Sequence, residues 1–333
     1  MKKVWVGGSL LLMYAAILHA DQVSLQWYND VFAGTDRHFT NGGSISWLDD
    51  PFRGKDDNGT NSYSTLVFDV TNALPFTTMD TTQQHTAGIS LMQMMITPTD
   101  ITQTEPQYDD FPYAGYLALS FYMFEFDDVS FNEYRMEVGV VGPQSGAEWL
   151  QTTVHQIIGS DEPKGWDTQM GTQLTLNALY RYGIKSWQKN YAYGLKSDWF
   201  NHIGFQAGNF VTNVFGGTMW RIGQNYVNNF NANSPSFKEE AALLQLQKAH
   251  HGFGWSFSVG ADSDILAYSY ILDEAEDLGY DFNRNVFSFS TYLGASLYVE
   301  GQKLTFFFQS QSPYLRESNQ IDSFGGFKFA IQF

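Results

Sequence analysis

Residues 134–140 read Tyr134-Arg135-Met136-Glu137-Val138-Gly139-Val140, a stretch in which every second side chain is apolar and the ones between are charged or absent. A period of two is the signature of a β-strand, whose successive side chains point to opposite faces. One face of this strand is therefore apolar and the other charged. The same alternation recurs along the chain. Phe253, Trp255, Phe257 and Val259 alternate with Gly254, Ser256 and Ser258. Phe287, Phe289, Leu293, Ala295, Leu297 and Val299 follow, then Leu304, Phe306 and Phe308. The chain closes on Phe327, Phe329, Ile331 and Phe333, with Lys328, Ala330 and Gln332 between them.

A soluble β-sandwich also alternates, but it hides its apolar face and has little need of so many aromatics there or of charges opposite them. Lipid outside and a polar interior demand both features at once, which predicts an all-β transmembrane antiparallel barrel. A terminal Phe ending the last strand fits Gram-negative outer-membrane barrels. Closure must pair every strand edge, so the strand number is expected to be even. Long polar insertions are expected at Asp49–Ser62, Thr97–Pro112, Gly142–Trp166 and Gln224–Gly252, with long loops at one end of the barrel and short turns at the other.

Composition agrees. Of 333 residues, 17% are aromatic and only 16% charged, an unusual balance for a soluble protein. Cysteine is absent, which removes disulfides, thiol catalysis and thiolate metal sites. A net charge of −17 disfavours a nucleic-acid partner and is compatible with divalent cations at the surface. At the N-terminus, Lys2 and Lys3 precede an apolar run ending at Ala20. This reads as a signal peptide over residues 1–20, leaving 21–333 as one barrel domain. No later stretch offers about 20 consecutive apolar residues, so a spanning helix is not expected.

One segment, Gly142–Trp166 (GPQSGAEWLQTTVHQIIGSDEPKGW), refuses the strand pattern. Ser145 and Glu148 have the spacing of a capping box, and Gly159 and Pro163 mark a stop, which predicts a helix over Ser145–Ile158. Trp149, Leu150, Val154, Ile157 and Ile158 recur at helical spacing, so that side is expected to lie on an apolar surface. Gln151 and His155 are i, i+4 and converge one turn apart on another side. A second capping box, Ser236 with Glu239, opens another short amphipathic helix, and the His250-His251 pair after it is given no role.

Near the mature N-terminus, WYNDVFAGTDRHFTNGGSISW is a strand, a polar turn and a strand. Asn29 and Asp30 end the first; Thr40, Asn41 and Gly42 begin the second. Such residues serve ordinary turns, but here they also concentrate oxygen atoms suited to a hard cation.

The pairing of YND…TDRHFTNG with GPQSG…WLQTTVHQIIG…PKGW resembles the lipid A 3'-O-deacylase family of outer-membrane β-barrels. Together with segment spacing, the resemblance implies about twelve strands and a short active-site helix near one rim. It implies an ester hydrolase of the Gram-negative outer membrane, acting on lipopolysaccharide from the outer leaflet, among outer-membrane lipids and as a monomer. In that family a histidine activates water and Ca²⁺ stabilises the oxyanion, similar to phospholipase A2. Carried over, the histidine is His155, with Gln151, Asn29 and Thr40 as further polar site residues and Asp30 as the metal ligand. The family's lysine in the Thr97–Pro112 loop has no counterpart there.

Two other readings compete. His38-Phe39-Thr40-Asn41-Gly42 is similar to the H-x-S-N-G of outer-membrane phospholipase A, with Thr40 in place of the nucleophilic serine. A porin or structural barrel would also place Arg135 and Glu137 in its lumen, but it has no use for a capped helix bearing Gln151 and His155.

Overall fold

The computed structural model describes residues 22–30, 38–53, 62–74, 77, 79–80, 82–230, 250–316 and 321–333. The expected signal peptide and the Ser236–Glu239 helix lie outside them. Twelve antiparallel strands form one closed barrel. They are β1 (Gln22–Asn29), β2 (His38–Leu48), β3 (Gln84–Thr97), β4 (Ala114–Phe126), β5 (Ser130–Val141) and β6 (Gln173–Asn190). The circuit continues with β7 (Leu195–Gly208), β8 (Val211–Gln224), β9 (Phe253–Ser269), β10 (Phe287–Val299), β11 (Gln302–Gln311) and β12 (Asp322–Gln332). Gln22 pairs with Leu48 on one side and Gln332 on the other, which closes the ring and leaves no free edge among these strands. No described helix is long and apolar enough to cross a membrane.

The pleat sorts side chains as the alternation requires. On β5, Glu133, Arg135 and Glu137 are buried inside, while Val138 faces out and is exposed. Around the wall Leu174, Ile203, Phe205, Phe257, Phe287, Leu293 and Phe306 make an exposed apolar band. The lumen is filled by side chains. Tyr116 stacks on Phe210 at 3.7 Å and donates to Glu137 at 2.8 Å. Arg221 holds Asp198 through two bonds of 3.1 and 2.6 Å and donates to Asn229 Oδ1 at 2.7 Å. Arg181 pairs with Glu133, its Nε donating at 2.8 Å.

The expectation of long loops at one end is corrected by strand parity. Thr97–Pro112 and the β5–β6 connection lie at the end where β1 finishes. The β2–β3 and β8–β9 connections lie at the other end, with the C-terminus. The first of these carries a helix that the sequence reading did not find, α1 (Ser62–Asn72). Its Phe68 packs with Phe52, Met79, Ala87 and Met123. The ring of His85 meets Phe68 edge-on at 5.1 Å, beneath that layer. Ala87, His85 and Met123 share the outward parity of β3 and β4, so α1 lies on the outside of the wall. His250, given no role from the sequence, is buried, with its Nε2 2.6 Å from the carbonyl oxygen of Asn225.

Breaking one buried ion pair leaves a charge uncompensated, whereas replacing both partners with apolar side chains does not. Glu133→Ala is expected to lower stability by about 3–5 kcal/mol. Arg135 Nε also lies 3.8 Å from Glu133, so Glu133→Leu combined with Arg181→Met and Arg135→Met should recover most of it, as read by chemical unfolding in detergent micelles.

Candidate active site

The helix expected over Ser145–Ile158 is α2 (Ala147–Ile158). The capping box is not formed. Pro143–Ser145 makes a single 3₁₀ turn, and Gly146, at φ 72°, takes the N-cap position with no side-chain cap. Ser145 Oγ instead accepts from the N–H of Ala147 at 3.4 Å. The C-terminal stop is as expected, with Gly159 at φ 73° and its N–H on the carbonyl of His155.

The faces of α2 are reversed from the expectation. Trp149 and Ile157 are 71% and 78% exposed, while Gln151 and His155 are 2% and 8% exposed. The helix thus presses its polar stripe against the barrel and turns its large apolar side chains outward. A helix on a membrane-facing wall has lipid, not water, on its free side. Met95, Ile101, Tyr113, Ala147 and Trp166 form the packing beneath it, with Leu150 at the margin. Gly115 makes the approach possible, since a Cβ there would come within 2.1 Å of Ser145 Oγ and 2.5 Å of Ala147 Cβ. Gln93 Nε2 ties the helix entry down by donating to the carbonyl of Ser145 at 2.5 Å.

Register extends this floor toward the N-terminal block. Gly115 pairs with Met95, Met95 with Asn41, and Asn41 with Asn29, so four strands share one outward row. Paired residues on neighbouring strands lie on the same face. Asp30, 2% exposed, is the next residue along the chain after Asn29, at the same rim. A bulge falls between Phe39 and Asn41, which makes Thr40 the extra residue opposite Met95. The backbone therefore brings Asn29, Asp30, Thr40 and Asn41 to one rim on the side that carries α2. The side chain of Thr40 lies outside the described residues.

Two contacts orient the helix residues. The Nδ1 of His155 is 2.6 Å from the carbonyl oxygen of Asp161. A carbonyl can only accept, so Nδ1 carries the proton and Nε2 keeps its lone pair in the neutral ring. The turn at Gly159 delivers that carbonyl. Trp166 Nε1 donates to Gln151 Oε1 at 2.7 Å. This fixes the amide so that Nε2, buried and without a hydrogen-bond partner, is a donor in waiting. Trp166 itself packs edge-on against Tyr113 at 5.0 Å. Nothing in its spacing marked it as a site residue; only its place in the PKGW motif did.

The oxygen atoms of this rim bear on whether a hard cation fits there. Asn41 Oδ1 is buried with no hydrogen-bond donor among the described residues, and Asn41 pairs with Asn29, the residue before the buried Asp30. Among the described residues no three His, Cys, Asp or Glu side chains cluster as a metal site. A carboxylate and an amide oxygen suit a hard cation that takes mostly oxygen ligands. The lysine missing from the Thr97–Pro112 loop has a neighbour: the N–H of Lys164 donates to Ile101 O at 2.9 Å, and Lys164 is exposed. In the same loop the Thr102 hydroxyl, Gln103 and the Thr102 N–H hold the Asp100 carboxyl below its usual range.

A sequence profile described as outer membrane protein LpxR matches residues 6–333. The chain belongs to the LpxR family. This is the family of outer-membrane barrels that the paired motifs resemble, and the barrel is an outer-membrane barrel. Among solved structures, LpxR from Salmonella typhimurium aligns with a TM-score of 0.73 at 14% identity, covering 94% of this chain and 100% of that one. The β domain of the Bordetella autotransporter BrkA aligns at 8% identity over 94% of this chain and 97% of that one, with a TM-score of 0.42. No curated protein sequence matches.

If the Trp166 bond sets the LpxR-type amide, Trp166→Phe and Gln151→Ala should be non-additive. Each alone should reduce turnover, and Trp166→Phe added to Gln151→Ala should cost little more, in a double-mutant cycle on kcat.

Proposed function

We propose that this chain is an outer-membrane ester hydrolase that removes the 3'-linked acyl group of lipid A by attack of water. The observation that carries the reading is the burial of Gln151 and His155 between a membrane-facing helix and the barrel wall, with His155 Nε2 left basic. A neutral imidazole is the usual general base near neutral pH. Asp161 holds the ring in the tautomer that can take a proton from water. The Gln151 amide offers an N–H to an ester oxygen or to that water. An ester linkage of a lipid enters such a site from the bilayer without leaving it, so the active site faces the outer leaflet and the protein acts as a monomer among outer-membrane lipids.

Asp30 and Asn41, with Asn29 beside them, would hold Ca²⁺. When bound, it supplies positive charge for the developing oxyanion. Thr40, carried by the bulge to the same rim, serves as a supporting donor in this reading rather than as the nucleophile. Lys164, exposed beside the Thr97–Pro112 loop, is the candidate cation for a phosphate of the substrate. A lumen packed with buried charged and aromatic side chains favours this over a water-filled pore.

Removing a positioned general base costs on the order of 10² to 10⁴ in rate. His155→Asn is expected to lose that much deacylation while keeping heat-modifiable gel migration, with the loss read by mass spectrometry of lipid A. A folded, fully active His155→Asn protein would refute the assignment. EDTA should abolish hydrolysis and Ca²⁺ restore it, with Asp30→Ala refractory to rescue. Thr40→Ser should retain much of the activity and trap no acyl-enzyme; an acyl group found on Thr40 would move the chemistry to a covalent mechanism.

A further inference from the structure

Both α1 and α2 lie on the outer face of β3 and β4, one at each end of the wall. Between them the outward row is apolar. Ile45 pairs with Leu91, Leu91 with Leu119, and Leu119 with Val138. Leu91 and Leu119 are only half-exposed, unlike Leu293 or Phe257 on the open wall. Above this row is the polar edge of Gln93 and Ser145, where α2 begins. Below it Trp47, Ile89 and Phe121 form the next level, and Trp47 and Ile89 are buried although they point out of the barrel. At that lower end Tyr63 of α1 donates to the carbonyl of Gly88 at 2.5 Å. The exposed Leu66 and Val70 on α1 keep its free side apolar, as a lipid-facing helix requires.

We propose that this strip of wall is an acyl-chain trough running down from the site beneath α2, and that α1 is its stop, so that a helix remote from the chemistry sets the chain length accepted. The inference rests on the hydrolase reading above and names the determinant of its specificity. The occupant is one saturated acyl chain, its ester end at the polar edge of Gln93 and its methyl end at Ile89 and α1. Four residues of strand separate Gln93 from Ile89, about 13 Å at the usual rise. A chain that moves from bilayer to trough gains little from burial, because lipid is as apolar as the wall. Selection is therefore by fit. A chain that is too long must bend around α1, where the lower level is already covered, and one that is too short leaves part of the Leu91–Leu119 row unfilled.

The test is the length profile of fatty acid released from lipid A species that differ only in the 3'-acyl chain, with the protein in detergent micelles. Leu119→Trp fills the trough and should shift preference toward shorter chains, changing the long-to-short ratio on the order of tenfold, as a pocket altered by one or a few methylene groups does. Ile89→Ala deepens the trough toward α1 and should shift the profile the other way. Unchanged profiles in both would overturn the proposal. A second measurement is independent of turnover. Lipid A with a diazirine at the end of the 3'-acyl chain should cross-link to Ile89, Phe121 or α1. Cross-links on a different part of the wall would overturn the trough even if hydrolysis stands. Cross-links at α1 without any hydrolysis would keep the trough and discard the enzyme reading.

Discussion

Hydrocarbon offers no hydrogen bond to a peptide group, and the rest of this structure follows from that constraint. Every strand must be paired on both sides, so the sheet closes, and closure gives each strand one face toward lipid and one toward the lumen. The lipid face must then be apolar or covered. This is why the polar outward residues are informative. His85 and Glu125 face outward under α1 and its flanking loop, where the N–H of Asp80 donates to Glu125 at 2.6 Å. Asn41 and Gln93 face outward beside α2. Glu125 there meets the N–H of Asp80 and Gln93 the carbonyl of Ser145, so segments packed outside the barrel provide for these two what lipid cannot.

The fold was legible in the sequence because a membrane barrel writes its constraint at every second residue. YRMEVGV and FKFAIQF say which side chains share a face, and the charged or aromatic character of each face says what it meets. Gln151 and His155 were legible as a pair for a similar reason, since i, i+4 spacing survives any detail of the surroundings. What spacing cannot say is which medium a helix face meets. In a soluble protein Trp149 and Ile157 would have gone inward. Here the outside is also apolar, so the rule that buries apolar side chains does not choose between wall and lipid. The polar pair decides the orientation, because the chain that folds back after Gly159 brings it the carbonyl of Asp161 and the indole of Trp166.

The parts that were not legible share a different cause. Ser145 has the spacing of a cap, but Pro143 pre-sets a tight turn and Gly146 at positive φ enters the helix instead, so backbone geometry overrides the side-chain motif. Helix α1, SYSTLVFDVTN, carries β-branched residues and no acidic first turn or basic last turn. Its propensity is weak, and its position depends on the packing of Phe68 and Met79 against the wall. The placement of long connections at both ends followed from strand parity, which no single loop reveals.

The bulge at Thr40 shows how the two levels meet. Without it, β2 would set one residue against Met95, and the strand would reach the rim with either Thr40 or Asn41 on the outward side but not both. With it, two consecutive residues oppose Met95, and the row from Gly115 through Asn41 to Asn29 stays in register with Thr40 added. A bulge costs a ladder hydrogen bond and is retained where it re-aims residues, often beside active sites. On the same row the amide oxygen of Asn41 has no donor among the described residues. In an apolar setting such an atom costs roughly 1–3 kcal/mol unless something outside the chain meets it. The same irregularity thus adds a hydroxyl residue at the rim, on the row of the wall that runs through Met95 to the packing beneath α2.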